Sequence, residues 1–117
     1  TLSVCELYAA RGIWDGIIDR AKHTENEDNV ALETLILYGR AMQGKGLHEA
    51  AIKVFTKALR KTKDRDQDLL NEARYWRALS YEAVGKRSRT NQELQKLFAE
   101  APDFRDVAER LEKLVQR

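Results

Sequence analysis

The sequence predicts an all-α fold built from a repeated pair of helices, and three observations carry that reading. Apolar residues recur at helical spacing almost from end to end. Strong helix formers dominate, and the chain holds a single proline, Pro102. The third observation is a periodic breaker: Gly12 and Gly46 lie 34 residues apart, as do Tyr8 and Met42, and Gly85 follows Gly46 by 39. A β-rich chain would show alternating Val, Ile and Thr between turn signals, and no such runs occur.

Taken in order, Leu2, Cys5, Tyr8 and Ala9 fall at helical spacing until Gly12 stops the run. Trp14, Ile17, Ile18 and Ala21 mark a second helix, and a polar stretch follows over 23–29. A third helix is expected over about 30–43, carrying Leu32, Leu35, Ile36, Tyr38, Gly39 and Met42, before Gly44, Lys45 and Gly46 break it. The fourth, about 48–62, has Ala51, Ile52, Phe55, Ala58 and Leu59 on its apolar side. Residues 63–68 are all charged or amide-bearing and read as a solvated connection, which absorbs the five extra residues of the longer interval. A fifth helix is expected over about 69–84, ending at Gly85, and a sixth over about 90–100, closed by Pro102. The last, about 104–115, aligns Val107, Ala108, Leu111 and Leu114, with Asp103 placed to cap it. The chain therefore divides into units over 1–29, 30–65 and 69–102 with a closing helix over 103–117, together one domain's worth of residues.

Charge and chemistry exclude more than they suggest. A net charge of +2, from 21 basic and 19 acidic residues, does not demand an anionic partner. Cys5, the one cysteine, has no disulfide partner within the chain, so a reducing, cytoplasmic setting is expected. Its place on an apolar stripe favours core packing over nucleophilic chemistry. No run reaches the roughly 18 apolar residues of a membrane span, so no membrane partner is expected. His23 and His48 lack companions at ligand spacing, and the glycines around Lys45 lack the strand and remaining glycines of a phosphate-binding loop. Neither a catalytic centre nor a cofactor or metal is expected.

Two basic groups stand out, Lys57, Arg60, Lys61, Lys63 and Arg65, then Lys86, Arg87 and Arg89. Asp64, Asp66 and Asp68 interleave with the first, and no aromatic residues offer base stacking, so nucleic acid is the weaker reading of them. Complementing helix termini and solvating a connection explains them more simply.

The middle unit resembles a tetratricopeptide repeat along its whole length. Gly39, Gly46, Ala51, Phe55 and Ala58 supply, at family spacing, the small residue of the first helix, the turn glycine, and the alanine–aromatic–alanine series of the second. Small residues let the helices approach while the aromatic fills the groove between them. The third unit matches at Ala78, Tyr81, Gly85 and Pro102, but places Arg74 and Arg77 at usually apolar positions and Thr90 and Leu97 where the second helix has alanines. The first unit keeps Tyr8, Gly12 and the Trp14 helix, with Thr24 in place of the second alanine.

This resemblance implies a right-handed α–α superhelix of about three helix pairs plus a C-terminal cap. It also implies a concave groove, lined by the first helix of each pair, that binds a peptide or another protein. In that row stand Glu6, then Glu33, Ile36, Leu37, Arg40 and Gln43, then Glu72, Tyr75, Trp76, Leu79 and Glu82. Chaperone-binding members grip a carboxylate with a clamp of basic and amide residues. Leu2, Glu6, Leu37, Glu72 and Trp76 stand at those places here, so that clamp is not expected. A basic or apolar segment suits Glu6, Glu33, Glu72 and Glu82 better.

The fifth helix bears two apolar stripes, one with Leu70, Ala73, Tyr81 and Val84, the other with Trp76, Leu79 and Ala83 and with Tyr75 at its edge. Either both are sandwiched between neighbours, or one is exposed and Tyr75 and Trp76 anchor a partner. If that partner is a second copy, the module self-associates as a homodimer, an alternative that mass in solution decides.

Overall fold

The computed structural model describes residues 28–116. Residues 1–27 of the first predicted unit, with Cys5, Glu6 and His23, lie outside the described residues. Five helices follow in order: α1 Asn29–Gly44, α2 His48–Ala58, α3 Gln67–Ala83, α4 Arg87–Glu100 and α5 Val107–Gln116. No strand occurs among the described residues, and the all-α expectation holds for them.

Two aspartates open the first helix of each pair. Asp28 accepts from the Ala31 N–H at 2.8 Å, and Asp66 accepts from the Asp68 N–H at 2.9 Å. The Asp66 N–H in turn donates to Asn29 Oδ1 at 2.8 Å, which pins the start of α3 to the start of α1.

Three expected boundaries move. Rather than reaching 62, α2 stops at Ala58, because no apolar residue recurs between Leu59 and Leu69 to pack a further turn. Conversely α4 starts at Arg87, three residues before Thr90, since the Lys86 carbonyl accepts both the Thr90 N–H and its hydroxyl at 3.0 Å. The closing helix starts at Val107 and Asp103 does not cap it. Residues 101–107 instead form successive turns, with Phe104 N–H donating to the Ala101 carbonyl and Val107 N–H to that of Phe104.

The periodic glycines make one turn twice. Gly46 and Gly85 hold φ of 79° and 80°, the left-handed conformation that costs a side chain but not glycine. The Gly46 and Leu47 N–H groups reach back to the Gln43 and Met42 carbonyls, both at 2.9 Å. Those of Gly85 and Lys86 reach the Glu82 and Tyr81 carbonyls at 3.1 and 2.9 Å, satisfying the same orphan acceptors. Leu47 and Lys86 then immediately accept the first bond of the next helix. Thus α1–α2 and α3–α4 are the same hairpin.

Each helix packs against the next, and α1 also touches α3. Inside the first pair, a Cβ on Gly39 would stand 2.5 Å from Phe55 Cζ and 2.8 Å from Cδ1. The fully buried ring therefore lies directly on the α1 backbone. Thirty-nine residues on, Ala78 and Leu94 occupy the equivalent places, a larger small residue against a smaller large one, in a second core cluster. Leu32, Leu35 and Phe55 form the heart of the first cluster, and Trp76 packs against both.

Arg74 and Arg77 fit their apolar positions because Glu93 of α4, only 7% exposed, meets them. Arg77 hydrogen-bonds Glu93 and donates to Thr56 Oγ1 of α2 at 3.2 Å, and Arg74 Nε stands 3.5 Å from Glu93 Oε2. Three helices thus share one polar cluster, whose charges, from α3 and α4, are tolerable inside only while paired. Thr90 and Leu97, in place of alanines, are fully buried.

A cleft between the first helices of the two pairs

About two turns of α1 separate Glu33 from Arg40, so Glu33, Ile36, Leu37 and Arg40 share one face of that helix. With Leu69 and Glu72 of α3, and Arg105 from the turn before α5, they line an open cleft of about 440 Å³. Ile36 and Leu37 are buried at its base, and Leu69 is half-buried.

Trp76 ties the cleft to the core. Its indole N–H donates to Glu72 Oε2 at 2.8 Å, one helical turn back. The Arg40 guanidinium sits 4.5 Å from its ring centroid and that of Arg105 at 5.2 Å. Burial pulls the Arg40 pKa below the ordinary arginine value, an effect that Glu72 opposes and Arg105 reinforces. Gln43 Nε2 donates to the Trp76 carbonyl at 2.7 Å and to Ser80 Oγ at 2.6 Å, a polar tie between α1 and α3.

Of the residues predicted for the groove, Glu33, Ile36, Leu37, Arg40 and Glu72 come together in this cleft, with Gln43 and Trp76 bonded beside it. Tyr75 goes elsewhere. It is buried, its hydroxyl donates to Asp106 Oδ1 at 2.6 Å, and its ring meets those of Trp76 and Phe104 edge-on at 5.1 and 5.8 Å. Leu79 packs against the second core cluster. Glu82 is exposed, 3.4 Å from Arg110, in a separate recess of about 100 Å³ beside α5. Glu6 lies outside the described residues.

Both apolar stripes of α3 are therefore taken up by packing, Trp76 half-buried between the two clusters and Tyr75 beneath the 101–106 turn. Burial, then the hydrogen bond to Asp106, raises the Tyr75 pKa, while Arg110 opposes the rise. At Asp106 burial pushes upward, but hydrogen bonds from Tyr75 and Arg110 outweigh it and hold the carboxyl below its usual range.

Leu69 and Arg105 line the cleft although the sequence reading did not place them there. Leu69 could have been found, since it precedes Glu72 by one helical turn. Arg105 could not, because a turn outside the regular pattern delivers it. The basic groups flank other termini: the first follows α2, and the second opens α4, where Arg87 donates to the Leu114 carbonyl at 2.8 Å. Among the described residues no three His, Cys, Asp or Glu side chains gather as a metal site, and no helix is long and apolar enough to cross a membrane.

Comparison of the chain with protein-family models, with curated proteins and with solved structures gives no match.

Proposed function

We propose that this chain is a tetratricopeptide-like array of helix pairs, and that it holds a peptide segment of another protein in the cleft between α1 and α3. The observation that carries the proposal is the cleft itself, about 440 Å³ with an aliphatic base of Ile36, Leu37 and Leu69 and a rim of Glu33, Glu72, Arg40 and Arg105. Its size and its few charged groups over an apolar base are those of a recognition site. The recurrence of one hairpin, with left-handed Gly46 and Gly85 at matching places, supports the repeat reading. In this reading the chain acts by binding rather than by catalysis.

Selection of a displayed random-peptide library on the full chain tests this. Wild type is expected to enrich a related set of sequences. Leu69→Glu, which puts a charge on the aliphatic base, is expected to lose them while circular dichroism shows unchanged helicity. Failure to enrich anything, or enrichment that survives both Leu69→Glu and Arg40→Ala, would overturn the proposal.

A further inference from the structure

Arg105 occupies an unusual position for a surface arginine. Its guanidinium carbon lies 5.2 Å from the Trp76 ring centroid, 5.5 Å from that of Tyr75 and 5.8 Å from that of Phe104. Its Nε and one terminal nitrogen both donate to Glu72 Oε1, at 3.2 and 2.7 Å. Three rings and a carboxylate surround this cation as an aromatic cage, in which ring faces and the acid together select a positive charge; Arg40 shares the Trp76 ring and Arg110 the Tyr75 ring. The rings come from α3 and from the turn before α5, so the tertiary fold assembles the cage.

The occupant is held by means that can be exchanged. The Arg105 side chain is 43% exposed, so the cage opens to solvent, and its ion pair with Glu72 is of the exposed, weakly stabilising kind. Its backbone sits at φ 44°, a left-handed conformation disfavoured for arginine, so the protein strains its chain to put this side chain there. Cage and cleft are continuous, because Glu72 and Arg105 line both.

We infer that the cage of Tyr75, Trp76, Phe104 and Glu72 is a binding site for an arginine side chain of a partner segment, and that Arg105 is its built-in competitor. The inference rests on the reading of the cleft as a peptide site and adds the partner's chemistry: a basic segment whose arginine displaces Arg105 into solvent. Glu33, at the far rim of the same cleft, adds to the complementarity with a basic segment.

Arg105→Gly empties the cage without spoiling the turn, since glycine adopts positive φ freely. N-acetyl-arginine methylamide serves as the probe, followed by the Trp76 indole N–H signal in ¹H–¹⁵N spectra, identified by its absence in Trp76→Phe. Saturable binding is expected for Arg105→Gly, about tenfold tighter than wild type, the ratio produced by an internal occupant that fills the site about nine-tenths of the time. Glu72→Gln in the Arg105→Gly background is expected to lose that binding, and the isosteric neutral citrulline analogue is expected not to bind. Wild-type affinity equal to that of the variant, a variant with no saturable response, or equal binding of citrulline would overturn the inference. The probe is a single capped residue and needs no cleft. Enriched peptides without probe binding would thus sink the cage alone, and probe binding without enriched peptides would sink the cleft alone.

Discussion

Replacing Gly39 by alanine sets two effects of similar size against each other. By helix propensity alone the change is favourable by about 1 kcal/mol, since Gly39 is mid-helix. Packing opposes it. The new Cβ would stand 2.5 Å from Phe55 Cζ, where ordinary contact begins at 3.4 Å, so ring or helix must move by about 1 Å. Phe55 is fully buried, so its ring can move only by displacing core neighbours. Overpacking of this kind costs about 3 kcal/mol at its upper end, leaving a net loss of about 2 kcal/mol. For a chain of this size that lowers Tm by about 8 °C.

Urea titration and thermal melts of Gly39→Ala, Phe55→Leu and the double variant give the decisive cycle. The double variant copies the Ala78–Leu94 pair of the second hairpin, so it is expected to recover stability, with a coupling of at least about 1 kcal/mol. If Gly39→Ala is as stable as wild type or more so, or the two changes simply add, then close approach of α1 to Phe55 is not what keeps glycine at 39.

Gly46→Ala and Gly85→Ala meet no steric contact, so each is expected to cost only the left-handed backbone penalty of about 1 kcal/mol, and equally, as urea midpoints will show. Glu93→Ala leaves Arg74 and Arg77 facing each other without their acid and is expected to cost about 3 kcal/mol, whereas changing all three residues to leucine restores most of that; unequal loss by denaturation in the reverse order would contradict the pairing. Asp106, whose pKa is depressed in the fold, contributes stability that is fully present above its unfolded value and lost as pH falls toward the folded one. Asp106→Asn should therefore flatten the acid limb of a stability–pH curve below about pH 4, and a limb unchanged by the substitution would remove Asp106 from the account. Tyr75 is raised, so its contribution is lost at the alkaline side, as pH climbs above about 10, and Tyr75→Phe should soften that decline in the same titration.

The features legible in the sequence are those decided within one or two helical turns. Gly46 and Gly85 signalled their turns because only glycine takes φ near +80° cheaply, and that demand does not depend on what packs nearby. The tight approach at Gly39 was expected from the family resemblance, which sets a small residue of the first helix against an aromatic of the second, here Phe55. Much of the cleft was legible too: the resemblance put Glu33, Ile36, Leu37, Arg40 and Glu72 in one row, and the first four share a face by helical geometry.

What the chain's order could not reveal depends on side chains that meet only after folding. Arg74 and Arg77 read as departures from an apolar pattern, and became intelligible only when α4 brought Glu93 to them, because a buried charge is acceptable or ruinous according to its partner. Nor could the pattern show whether both stripes of α3 are covered. That was settled by the turn after Pro102, which carries Phe104, Arg105 and Asp106 back over Tyr75 and Trp76. A turn outside the helical period has no spacing from which its direction can be read, so the cage around Arg105 belongs to the tertiary structure alone, while the helices and their hairpins follow from local backbone preference and hydrophobic period.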